Sequence, residues 1–181
     1  MPPGPWQGRG KSMAADEVDE VVAAWRAQRP DLAVDSMQVW SRIHRLAALL
    51  ETHRKQCFTD QGLESWEFDV LAALRRAGEP HRLSPGKLLA ETHVTSGTMT
   101  HRIDRLKGRG LVTRFRNPED GRGALVELTE QGRALVDDAI GGLIAMEESL
   151  LGEWSTRDQD RLADSLRRLL TDAVEQERPR A

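Results

Sequence analysis

The chain has 181 residues, of which 39% are hydrophobic and 30% charged, with a formal net charge of −3. This is a globular composition, long enough to bury the core of one domain with extensions, and no apolar run approaches the length of a membrane span. The single cysteine, Cys57, excludes an internal disulfide framework, and with no hydrophobic segment near the start it points to a cytoplasmic protein.

Residues 1–13 are rich in Pro and Gly and are expected to form a disordered tail. Gly10, Lys11 and Ser12 end like a phosphate-binding loop, but Pro5 stands where that loop needs its first glycine, and no strand precedes it. Residues 14–30 predict an extra N-terminal helix with acids in its first turn and a stop at Pro30. Residues 31–60 predict a long helix, capped by Asp35 or Ser36, with Met37, Trp40, Ile43, Leu46, Leu49 and Leu50 on one stripe. The stretch ESWEFDVLAALRRAG predicts a helix whose apolar stripe is Trp66, Val70, Leu71 and Leu74. Phe68 falls on its far face, Asp69 on its flank and Gly78 at its close. Ser84 caps the next short helix, with Pro85 at its first position.

A turn at Thr92 to Val94 then leads into SGTMTHRIDRLKGRG. At about 100° per residue, Met99, Ile103 and Leu106 share one face, which must meet the core. The opposite side carries Gly97, Thr98, Thr100, His101, Asp104, Arg105 and Gly108. Small hydroxylated residues with a His and an Arg suit a major groove, where they approach base edges and phosphates. Two β-like runs follow, LVTRF and ALVELT, around the turn-rich RNPEDGRG, and two long amphipathic segments, Thr129 to Leu151 and Ser155 to Gln176, end the chain.

Helix, short turn, helix and hairpin are the order of a winged helix-turn-helix. The expected fold is therefore mainly α with a small β-hairpin wing. A DNA-binding lobe at 61–129 joins a helical dimerisation region at 31–60 and 130–178. Charge agrees: Thr95 to Arg122 holds seven Arg or Lys against three acids, a segment charge of +4 in a chain whose remainder carries −7. The expected DNA-contacting residues are Ser96, Thr98, Thr100, His101 and Arg105 on the helix, with Arg116 and Arg122 on the wing. Taken alone, the helix also fits an ordinary solvated face, and the charged hairpin is what favours a duplex.

The residues PEDGRGALVELTEQG resemble the wing of the MarR (multiple antibiotic resistance regulator) family, whose pattern is Asp-x-Arg, a strand, then Leu-Thr-x-x-Gly. Here these positions are Asp120, Arg122, Leu128, Thr129 and Gly132. SGTMTHRIDRLKGRGLVTR is similar to the same family's recognition helix, with His101 where related sequences often have Asn and with Gly123 after the wing Arg where a polar residue is common. The resemblance implies a homodimer that places two recognition helices in successive major grooves of a pseudo-palindromic operator.

The extra helix ending AAWRAQRPDL resembles that of the MarR regulators responding to urate or related small anions. That resemblance implies a ligand set of Trp25, Asp69, Arg102 and Arg114 and release from DNA by a small anionic effector. Two guanidiniums suit a planar or multivalent anion, and a Trp supplies a flat lid. The alternative for the same residues is a structural Asp69–Arg pair with Trp25 as a packing anchor. Two other functional classes remain open: a constitutive or oxidation-controlled regulator sensing through Cys57, and a winged-helix protein-interaction module. The five His residues show no metal spacing, Glu147 and Glu148 diverge on a helix, and no context marks an activated nucleophile, so neither metal, cofactor nor enzymatic activity is expected.

Overall fold

A computed structural model describes residues 15–92, 94–117 and 123–177. The tail at 1–13, with its Gly10-Lys11-Ser12, and the wing residues Asp120 and Arg122 lie outside the described residues. The chain divides into two compact units, residues 1–55 and 56–181. The boundary falls inside one continuous helix.

In the first unit, helix α1 spans Glu17–Gln28. Asp16 caps it, accepting hydrogen bonds from the backbone N–H of Val18 and Asp19, and Asp19 returns the favour by accepting from Asp16 N–H at 2.9 Å. Glu17, Asp19 and Glu20 place negative charge at the positive end of the helix, which stops before Pro30 as predicted. Val18 and Val22 bury themselves against Val34 and Met37. The expected side-chain cap at Asp35 or Ser36 is instead a 3-10 turn, Val34–Ser36, running into helix α2, Met37–Asp60. The Asp35 carboxylate is engaged by Arg26 Nη2 at 2.5 Å. Arg42 on α2 donates to Asp16 at 2.8 Å and Asp19 at 2.9 Å, and Arg45 pairs with Glu17. The Arg42 guanidinium holds the Asp16 carboxyl below its ordinary value.

In the second unit, the end of α2 delivers Phe58, whose ring stacks on Phe68 at 4.2 Å. Phe68 belongs to helix α3, Ser65–Arg76. Its burial corrects the sequence expectation: α3 is a central helix, packed by α4 (Pro85–Thr92), α6 (Glu130–Leu151) and the sheet, so it buries far more than one stripe. Asp69 is exposed and Trp66 half-buried. Ser84 Oγ accepts from Lys87 N–H at 3.3 Å at the start of α4, where Pro85 occupies the first position as predicted. Helix α5, Ser96–Gly108, follows, then strands β2, Val112–Arg116, and β3, Ala124–Leu128.

The hairpin register pairs Val112 with Leu128 and Arg116 with Ala124, and a further two-residue strand, β1, Arg82–Leu83, pairs with the other edge of β3. The sheet is thus three-stranded and antiparallel, in the order β1-β3-β2. β1 has no periodicity to reveal it in the sequence. The core gathers Leu71 and Leu74 of α3, Leu88 of α4, Met99, Ile103 and Leu106 of α5, Val126 of β3 and Val136 of α6. Thr129 caps α6, and helix α7 spans Thr156–Glu177. α7 buries none of its residues within the chain, and Leu162, Leu166, Leu170 and Val174 form an exposed apolar row along it. Among the described residues no helix is long and apolar enough to cross a membrane.

Candidate nucleic-acid interface

The rotation of α5 is fixed by its apolar stripe. Met99, Ile103 and Leu106 are buried to within 1% exposure, and the remaining face follows from helix geometry. Thr95 caps the helix, its Oγ1 accepting from Thr98 N–H at 3.4 Å and lying 2.9 Å from Thr98 Oγ1. Ser96, Gly97, Thr98, Thr100, His101, Asp104 and Arg105 are all exposed. The predicted outward face is therefore presented to solvent as a surface of hydroxyls, backbone and one imidazole. A Cβ at Gly97 would meet no atom within 4 Å, so nothing in the fold requires glycine there.

On the wing, Arg114 and Arg116 are exposed and two residues apart on β2, hence on one side of the strand. Arg114 Nη1 lies 3.9 Å from Asp104 Oδ1 of α5, an exposed pair that holds it only weakly. On the other side of β2, Arg82 stacks over the Phe115 ring at 4.7 Å while donating to Glu127 at 2.6 Å.

The flank of α5 is tied to the start of α3. Arg105 Nη2 donates to Glu64 Oε1 at 2.7 Å, and Trp66 Nε1 donates to Glu64 Oε2, also at 2.7 Å. The guanidinium carbons of Arg105 and Arg102 lie 4.9 Å and 5.4 Å from the Trp66 ring. The indole N–H and then Arg105 hold the Glu64 carboxyl below its ordinary value. One turn deeper, Glu67 is 1% exposed; its Oε2 accepts from Arg109 Nη1 at 2.5 Å and from Glu64 N–H at 3.1 Å. Glu67 Oε1 has no hydrogen-bond partner among the described residues. Arg109→Ala removes the cation facing this buried carboxylate, and we expect it to lower unfolding stability by about 2 kcal/mol in denaturant titration.

Glu64, the platform role of Trp66 and the Glu67–Arg109 pair were not legible in the sequence. The visible signal was an acid on either side of a Trp at a helix start. Of the ligand set, Asp69, Arg102 and Arg114 belong to the second unit, whereas Trp25 lies exposed on α1 in the first. Arg102 is half-buried. Cys57 is a half-buried free thiol, and among the described residues no group of His, Cys, Asp and Glu is placed to hold a metal ion.

A sequence model described as MarR family matches residues 61–123, from the residue after α2 to the residue before β3. The regulator PecS of Dickeya dadantii is 32% identical over 153 residues, spanning 84% of this chain and 92% of PecS. The structure of BpsR from Bordetella bronchiseptica, whose DNA binding is regulated by 6-hydroxynicotinic acid, superposes with a TM-score of 0.62 at 29% identity. That match covers 75% of this chain and 94% of BpsR. Sco3205 of Streptomyces coelicolor, a MarR family transcriptional regulator solved in complex with DNA, shares the fold with a TM-score of 0.67 at 23% identity, over 78% of this chain and 93% of its own. With a helix-turn-helix whose second helix turns its polar face outward, a three-stranded wing, and PecS similar along nearly its whole length, the chain belongs to the MarR family of DNA-binding transcriptional regulators.

Proposed function

We propose that this regulator binds a pseudo-palindromic operator as a homodimer and is released from it by a small anionic metabolite. The observation that carries the DNA-binding mode is the exposed α5 face of Ser96, Thr98, Thr100 and His101 behind a fully buried stripe. These side chains meet base edges and phosphates in the major groove, with Arg105, Arg116 and Arg122 on the backbone. The dimer is supported by the apolar row on α7 and by Ile140 and Ile144 on α6, which stand exposed in the single chain. A second copy covers them and sets two α5 helices about one helical turn of DNA apart.

The effector is a planar or multivalent anion gripped by Arg102 and Arg114, with Asp69 as the acid of the set. Among the described residues Arg114 pairs with Asp104 across an exposed contact, so an anion displaces that partner at small cost. Arg102 offers its N–H edge while its face rests on Trp66. The aromatic acid that regulates BpsR supports this ligand class. Both arginines flank the DNA-reading surface, so an anion that binds them more tightly in the released state weakens DNA binding by that difference.

The test is displacement from an operator by urate, 6-hydroxynicotinate and citrate, followed by fluorescence anisotropy. The effective anion should lose at least about tenfold in potency against Arg102→Ala or Arg114→Ala, each guanidinium contact contributing roughly 1.5–3 kcal/mol. Trp25, which the family resemblance adds, is read separately: the fluorescence change on binding should be absent in Trp25→Phe. Equal release of wild type and of the Arg102→Ala, Arg114→Ala double variant by the same anion contradicts the proposed ligand set.

A further inference from the structure

The cation of α5 placed to approach a duplex is already occupied. Arg105 donates to Glu64 Oε1 at 2.7 Å and lies over the Trp66 ring. Trp66 donates to the second Glu64 oxygen at 2.7 Å, so the two carboxylate oxygens are divided between an indole and a guanidinium. Glu64 thereby offers Arg105 what a DNA phosphate offers: two anionic oxygens on one centre, accepting charge-assisted hydrogen bonds from a planar fork. Neither partner is buried, Arg105 being 47% and Glu64 56% exposed at the side chain. The hold is weak enough to be exchanged and strong enough to lower the affinity of a duplex that takes Arg105.

We propose that Glu64 makes an autoinhibitory contact for DNA binding, an internal stand-in for phosphate that competes with the duplex for Arg105 and is abandoned only where a phosphate is seated within its reach. On a closely docked operator the exchange is favourable, because Arg105 gains a phosphate and releases a counterion. On a random sequence the helix sits less deeply, Arg105 stays with Glu64, and its charge adds nothing to affinity. A duplex that takes Arg105 must first break this pair, so Glu64 lowers operator affinity by the strength of the pair and acts as a brake on DNA binding. The Trp66 ring keeps the guanidinium plane fixed during the exchange, since stacking uses the face and hydrogen bonding the edge. This inference rests on the proposed placing of Arg105 against DNA.

The experiment compares wild type, Glu64→Gln, Arg105→Ala and the double variant. Anisotropy at one fixed salt concentration measures binding to an operator duplex selected by the protein from a randomised pool and to a random-sequence duplex. Glu64→Gln keeps the side chain's size and an oxygen for the Trp66 N–H. It should tighten operator binding about threefold per recognition helix, so about tenfold for two, and random-duplex binding by less. The operator-to-random affinity ratio should rise accordingly, and the change should vanish when Arg105 is Ala. Trp66→Phe, which keeps a ring and removes the N–H that fixes Glu64, should tighten operator binding by a smaller factor.

A larger tightening on the random duplex than on the operator, or a tightening that persists in the Arg105→Ala background, overturns the proposal; in the second case Glu64 acts only as a repelling charge. No change in Glu64→Gln with weakened operator binding by Arg105→Ala overturns the role of Glu64 alone. Unchanged operator binding by Arg105→Ala overturns the placing of Arg105 on DNA and this inference with it.

Discussion

Gly132→Ala should destabilise the protein by about 3 kcal/mol or more, seen as an earlier midpoint in denaturant or heat. Gly132 lies in the first turn of α6, and a Cβ built on it would stand 2.0 Å from the carbonyl oxygen of Leu111. That oxygen cannot yield, because it accepts the backbone N–H of Thr129 at 3.1 Å. Thr129 in turn donates through Oγ1 to Gly110 O at 2.7 Å and accepts from Gly132 N–H at 3.0 Å. The Leu-Thr-x-x-Gly pattern is therefore one joint. Leu128 ends the wing strand in the core, Thr129 caps the helix and grips the loop before β2, and the glycine lets helix and loop touch backbone to backbone. Gly141→Ala is the control: it lies in the same helix with nothing within 4 Å of its Cβ, and should gain about 0.5–1 kcal/mol from helix propensity. Similar effects for the two glycines would contradict the close approach.

What the sequence made legible, and what it did not, divides along the reach of local periodicity. The α5 stripe, the Ser84–Pro85 start of α4 and the hairpin strands depend on neighbours within a few residues, and their patterns name them directly. Phe68 defeated the helical wheel because a wheel assumes one buried face, whereas α3 is enclosed by α4, α6 and the sheet. Strand β1 is two residues long and exists only through its pairing with β3, more than forty positions later. Arg105 lay on the predicted polar surface and Arg109 just past its helix, yet they meet Glu64 and Glu67, partners 41 and 42 residues away that no spacing rule connects to them. The glycine of the wing pattern was visible as a letter, and its reason appears only where Leu111 comes against it.

If the exposed face of α5 is the surface that enters DNA, Gly97→Glu should have opposite effects on fold and function. Gly97 is exposed, in the first turn of α5, with space around its Cβ. A glutamate there should leave stability unchanged or raise it by about 0.5–1 kcal/mol, since a helix interior favours Glu over Gly and the helix N-terminus favours negative charge. In the groove the same carboxylate meets phosphates and base acceptors, a like-charge juxtaposition that costs several kcal/mol. Measured together, the melting temperature and the operator affinity at one salt concentration should part company: Tm equal to or above wild type, with affinity lower by about a hundredfold or more. A stable Gly97→Glu protein that binds the operator within about twofold of wild type would contradict the claim that α5 reads DNA through this face.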